Sequence, residues 1–157
     1  MPEIRPLRPG EEKVCEDILR SLPDWFGIEE SIVEYARDVG TMDTYLCLVS
    51  DQPAGFLTLH RHNDYSAEIH VMGVLGEYQG AGIGRALVEH AEKVLGGGTT
   101  EFLQVKTLGP SRPDANYERT RGFYERMGFR PLEENRLWGD VNPCMIYVKH
   151  LRYEESE

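Results

Sequence analysis

The chain has 157 residues, 40% hydrophobic and 28% charged, and its 17 Lys and Arg stand against 27 Asp and Glu for a formal net charge of -10. That balance fits a soluble globular chain of about one domain and excludes wholly disordered and collagen-like classes. It also argues against a nucleic-acid partner, because a polyanion needs a basic face.

The longest apolar run, Tyr45–Val49, is far shorter than the roughly 20 residues of a membrane helix, and the opening Met1-Pro2-Glu3-Ile4-Arg5-Pro6 lacks the apolar core of a signal peptide. No membrane partner and a cytoplasmic location are therefore expected. Cys15, Cys47 and Cys144 are odd in number and form no CxxC pair. They read as buried free thiols of a reducing compartment.

In chain order, Glu3–Arg8 reads as a short edge strand hemmed by prolines, and Glu11–Ser21 as a helix in which Val14, Ile18 and Leu22 recur at spacing four. Leu22-Pro23 stops that helix, and Asp24-Trp25-Phe26-Gly27 is a loop. A second helix is expected over Ile28–Val39, ended by Gly40. Three strands follow, Thr44–Ser50, Ala54–Arg61 and Ser66–Leu75, separated by turns at Asp51-Gln52-Pro53 and His62-Asn63-Asp64. Such short turns imply an antiparallel meander. In the third strand Glu68, His70, Met72 and Val74 share one face and Ile69, Val71 and Gly73 the other.

Beyond this the pattern changes. Gly76–Gly84 is glycine-rich, and Ile83–Leu95 is an amphipathic helix closed by Gly96-Gly97-Gly98. A strand over Glu101–Thr107, a loop over Leu108–Asp114, a helix over Ala115–Met127 capped by Gly128, and strands over Phe129–Trp138 and Met145–Leu151 complete the chain. A helix that crosses between two strands makes them parallel. The expected fold is thus α/β, a single domain over 1–152 with a twisted mixed sheet of about seven strands, a parallel step at its centre and helices on both faces. Residues 153–157 read as an acidic tail.

The chemistry lies in Val74-Leu75-Gly76-Glu77-Tyr78-Gln79-Gly80-Ala81-Gly82-Ile83-Gly84-Arg85, where a strand runs into a glycine turn that opens a helix. The first amides of a helix lack intrahelical partners and carry partial positive charge, and glycines let an anion approach them closely. A diphosphate cradle follows from this. The turn is not a Walker loop, because no Gly-Lys-Ser/Thr follows, and its glycines miss the GxGxxG spacing. Tight packing of strand against helix is the other reading of the turn taken alone.

Gln79-x-x-Gly82-x-Gly84 resembles the acyl-CoA signature of the GNAT superfamily of N-acetyltransferases, and Arg121-Gly122-Phe123-Tyr124-Glu125-Arg126-Met127-Gly128-Phe129 resembles the late helix of the same family. The resemblance implies a GNAT-like acyl-CoA N-acyltransferase fold and an enzyme that moves acetyl from acetyl-CoA directly to a primary amine in a ternary complex. By the same resemblance, Gln79, Gly80, Ala81, Gly82, Ile83, Gly84 and Arg85 hold the diphosphate of acetyl-CoA. Met72, Gly73 and Val74 bind the pantetheine arm through backbone groups, and the Val74 amide faces the thioester oxygen. Tyr124 matches the tyrosine that protonates the departing thiolate. Where many members carry Asn, seven residues before it, this chain has Tyr117, with Asn116 one position earlier. Both are assigned to the cofactor wall.

The acceptor amine, with a pKa near ~10.4 if lysine-like, must lose a proton before it can attack. Glu68 matches the position of a catalytic or water-relaying glutamate in many members, and His70 shares its face. Trp25, Phe26, Glu29 and Glu30 fall in the helical pair that in the GNAT family forms one wall of the acceptor pocket, where aromatics stack on an amine and carboxylates attract it. The same resemblance implies that Trp138 and Gly139–Pro143 lie at the opposite wall. His60 and His62 share a strand face, but no carboxylate stands at ligand spacing beside them, so no metal is expected. The acceptor is a small molecule or a peptide, and a homodimer stays open. Two alternatives remain at this point: another acyl donor or acceptor, or a non-catalytic acyl-CoA-binding module.

Overall fold

A computed structural model describes residues 2–151. The expected acidic tail at 153–157 lies outside the described residues. In chain order the elements are β1 (Glu3–Pro6), α1 (Glu12–Arg20), α2 (Glu29–Asp38), β2 (Asp43–Val49), β3 (Gln52–Arg61), β4 (Ser66–Val74), a single 3-10 turn (Gly76–Tyr78), α3 (Ile83–Leu95), β5 (Phe102–Leu108), α4 (Ala115–Arg126), β6 (Arg130–Asn135) and β7 (Cys144–His150).

The seven strands form one mixed sheet in the order β1-β2-β3-β4-β5-β7-β6. The pairs β1–β2, β2–β3, β5–β7 and β6–β7 are antiparallel, and β4–β5 is parallel. The central parallel step expected from the crossover helix is therefore present: Ser66–Ile69 of β4 pair with Phe102–Val105 of β5.

By its internal contacts the chain divides into two compact units. One comprises the residues up to His60 together with His70–Val94, and the other Arg61–Ile69 together with the chain from Leu95 onward. In the first, α1 and α2 bury Cys15, Ile18, Leu19 and Ile32 against Leu46, Phe56 and Val71 of the sheet. The spacing-four pattern of α1 is thus the core-facing stripe expected of it. Gly55 and Gly73 are required by close approach. A Cβ on Gly55 would meet the Gly73 carbonyl oxygen at 2.8 Å, and one on Gly73 would meet Ile18 Cγ2 at 3.1 Å. In the second unit the buried side chains include Leu103, Val105, Phe129 and Tyr147. Arg121 Nη1 donates to the Leu108 carbonyl at 2.7 Å and ties α4 to the end of β5.

Most boundaries differ from expectation by a residue or two, and three of the differences bear on how the strands pair. The turn after β2 is not Asp51-Gln52-Pro53. Ser50 and Asp51 take φ values of 51° and 65° and form a two-residue hairpin, so Gln52 already pairs with Val49. Two left-handed residues in succession match the strand twist, and the shift in register between Cys47 and Leu48 accommodates Pro53 within the strand. The strand expected over Phe129–Trp138 is shorter, Arg130–Asn135, because Asn135 Oδ1 accepts from the Leu137 amide and bends the chain away. The last strand begins at Cys144, which pairs with both Leu108 and Asn135.

Candidate active site

The glycine turn is built by the backbone. Gly80 and Gly82 have φ of +80° and +85°, and a Cβ at either position would meet nothing within 4 Å. Glycine is needed here for the left-handed backbone, and the surface above it is open. Gln79 Nε2 donates to the Val74 carbonyl at 3.2 Å and closes the turn onto the end of β4. The first bond of the α3 ladder runs from the Ala86 amide to the Gly82 carbonyl at 3.0 Å, so the amides of Ile83, Gly84 and Arg85 precede the ladder. α3 itself is anchored by buried Ile83, Leu87, Val88, Ala91 and Leu95. The result is a rigid helix N-terminus, with its partial positive charge and free donors under an open glycine surface.

In the same unit, His70 on β4 faces α2. Its Nε2 lies 2.9 Å from Asp38 Oδ2, and its ring meets Tyr35 edge-on at 5.4 Å. Phe26 packs edge-on against Tyr35 at 6.0 Å, and Trp25 packs on the core of this unit. Glu29 is held by a bidentate contact with Arg20, at 2.7 and 2.9 Å, which offsets its charge, while Glu30 is exposed.

In the other unit, Glu68 on β4 is 5% exposed. Lys106 Nζ on β5 donates to both of its carboxylate oxygens, at 2.9 and 3.0 Å, and His62 Nε2 lies 2.7 Å from Oε1. The sequence pattern shows no carboxylate beside His62, but the folded hairpin supplies one. Residues 62 and 68 flank the turn between β3 and β4, and closing that turn brings them together. Tyr124 is also 5% exposed, with Phe123 and Phe129 edge-on at 5.3 and 5.5 Å. Burial, assisted by the neighbouring Tyr117, pushes its phenol well above the usual range, so it stays protonated at neutral pH. Asp114 caps α4 by accepting from the amides of Asn116 and Tyr117 at 2.9 and 3.1 Å. The Asn116 side chain accepts from Arg119.

All three cysteines are buried and free. Burial pushes the Cys15 thiol up to about 12 and raises those of Cys47 and Cys144. Protonated, enclosed thiols are poor nucleophiles. No helix among the described residues is long and apolar enough to cross a membrane.

A family model for the acetyltransferase (GNAT) domain matches residues 41–131, more than half of the chain. The chain belongs to the GNAT acetyltransferase family. An uncharacterized N-acetyltransferase of Chlorobaculum tepidum is 31% identical over 119 residues, covering 73% of this GNAT chain and 66% of that relative, which is just under two thirds of the relative's length. The fold is shared with solved structures. The ribosomal-protein-S18-alanine N-acetyltransferase of Escherichia coli superposes with a TM-score of 0.78 at 20% identity, over 100% of this chain and 97% of that one. A GNAT acetyltransferase of Elizabethkingia anophelis, solved with acetyl-CoA bound, gives 0.76 at 17% identity, over 96% and 98%.

Two groups of this GNAT chain escape a reading of the sequence alone. Asp38 has no local signal, because its partner His70 lies 32 positions away. Lys106 has a faint one, as the sole charge inside Phe102–Leu108, a strand otherwise suited to burial.

Proposed function

We propose that this chain transfers the acetyl group of acetyl-CoA directly to a primary amine carried by a small molecule or a peptide. The observation that carries the reading is the open glycine turn with left-handed Gly80 and Gly82 ahead of α3, inside the family-matched segment. Its free amides and helix N-terminus suit a diphosphate. Residues Met72–Val74, at the end of β4 just before the glycine turn, suit the amide-bearing pantetheine arm, which pairs like a strand. The Val74 amide is assigned to the thioester oxygen, where negative charge develops during acyl transfer.

Glu68 is assigned as the base. It takes a proton from the acceptor ammonium, directly or through one water, and the neutral amine then attacks the thioester carbon. The C–N bond forms, the C–S bond breaks, and the second proton lost from the nitrogen passes to the departing thiolate, which leaves as the free thiol. A thiol has a pKa near ~8.5, below that of a buried phenol, so Tyr124 serves the thiolate as a hydrogen-bond donor and keeps its own proton for most of the step. Asn116 and Tyr117 are assigned to the cofactor wall. Trp25, Phe26 and Glu30 are assigned to the acceptor side, with His70 positioned there by Asp38. The enclosed, protonated cysteines favour direct transfer over an acyl-enzyme.

The test is release of free CoA thiol from acetyl-CoA against spermidine, an aminoglycoside, free lysine and a peptide with a free N-terminus. Amine-dependent release that is lost in Glu68→Gln supports the reading. Saturable acetyl-CoA binding without release for any amine would make the chain a binding module instead.

A further inference from the structure

Burying a carboxylate favours its neutral form, and a neutral carboxyl cannot accept a proton. The Glu68 side chain is 7% exposed, so a base at this position needs a compensating cation. Lys106 supplies it. Glu68 pairs with Gln104 in the parallel ladder, and Lys106 stands two residues further along β5 on the same face. From there its ammonium reaches both carboxylate oxygens, at 2.9 and 3.0 Å. The two oxygens are not equivalent. Oε1 engages both Lys106 and His62, whereas Oε2 engages Lys106 alone among the described residues. Other titratable groups face this pair from neighbouring elements. His62, 32% exposed, approaches from the end of β3. From β7, Cys144 responds to both Lys106 and Glu68, and it also feels Glu133 of β6.

We infer that Lys106 is the positioning residue of the base: its ammonium offsets the carboxylate charge of Glu68 inside the sheet and, with His62 holding Oε1, leaves Oε2 as the oxygen that receives the acceptor's proton. This rests on the assignment of Glu68 under the proposed function. In the step itself the ammonium N–H bond breaks, the proton joins Oε2, and the charge on Lys106 is unchanged.

The carboxyl carbon of Glu68, identified by its absence in Glu68→Gln, can be followed by NMR through a pH titration of the intact chain. Lys106→Met should move its midpoint upward by at least about tenfold in proton concentration. Lys106→Arg, which keeps the charge, should restore most of the shift. Thiol release should follow the same order, with the acid limb of kcat/KM displaced in the Met variant and largely recovered in the Arg variant. A second measurement guards against misfolding of the Met variant. Glu68→Gln/Lys106→Met removes both charges and leaves no unpaired ion. If Lys106 acts through Glu68, the double variant should be no slower than Glu68→Gln. An unmoved midpoint in Lys106→Met, or a further loss of rate in the double variant, overturns the inference. Full activity in Glu68→Gln would instead refute the assignment of the base, so the two failures are distinguishable.

Discussion

The two chemical regions of this chain are built on opposite principles. The glycine turn at Gly80–Arg85 is made of backbone: its donors are peptide amides, and its side chains matter mainly by being absent. The Glu68–Lys106 centre is made of side chains, drawn from two strands and locked by ion pairing inside the sheet. A backbone site is specified by a few consecutive residues and tolerates change around it. A side-chain site depends on register set far away, and a single substitution can empty it. Variants that separate binding from turnover should therefore divide along this line.

The largest effect is expected at the side-chain centre. Glu68→Gln should lower kcat/KM by roughly 10²–10⁴-fold, the range for loss of a general base, with acetyl-CoA affinity unchanged by calorimetry. Tyr124→Phe should come next, lowering kcat by about 10-fold or more with little change in affinity, because a hydrogen bond to the leaving thiolate exists only as the C–S bond breaks. Weaker binding with unchanged kcat in either variant would dissolve the distinction between the regions.

At the backbone region the pattern should invert. Gly82→Val forces a branched residue to φ near +85° and brings side-chain atoms over the amides. Acetyl-CoA affinity should weaken by about 10-fold or more, given roughly 1–2 kcal/mol of backbone strain, with the far-UV spectrum preserved.

That contrast also explains what could be read from sequence. The turn, α3 and the crossover are local: glycine spacing, helical periodicity and the rule for parallel connections made them legible, and the seven strands followed from alternation and turn chemistry. The Ser50–Asp51 hairpin was misplaced because Pro53 looks like a turn residue, whereas here it sits in a strand beside a bulge. The place of Glu68 on β4 was legible from alternation along the strand. Its partner was not, since the pairing of Glu68 with Lys106 spans 38 positions and depends on the register of two strands joined by a helix. The Asp38–His70 contact was hidden for the same reason.

Smaller effects belong to the scaffold. Gly55→Ala should cost about 1–3 kcal/mol in denaturant unfolding, because the new methyl would press on the Gly73 carbonyl within the sheet. A loss well below this would mean that β3 and β4 yield more easily than their packing implies. The smallest effect concerns pH. Bidentate bonding by Arg5, at 2.8 Å to each oxygen, holds the Glu11 carboxyl down to about 2 from its ordinary 4.5, despite the opposing effect of burial. A carboxyl held down in the fold stabilises it above the ordinary value, and that contribution drains away as pH falls through the folded one. Arg5→Ala should thus be less stable than the parent near neutrality, and the gap should close between about pH 4.5 and about pH 2. A gap that is constant with pH would assign the effect to packing.

The central claim is that peptide amides after β4 hold the diphosphate of an acyl carrier. Titration calorimetry of acetyl-CoA into the intact chain and into Gly82→Val tests it most directly. The account predicts one saturable site per chain in the parent and a clear loss of affinity in the folded variant. Equal affinity in the two proteins, or no heat of binding in the parent, would contradict it.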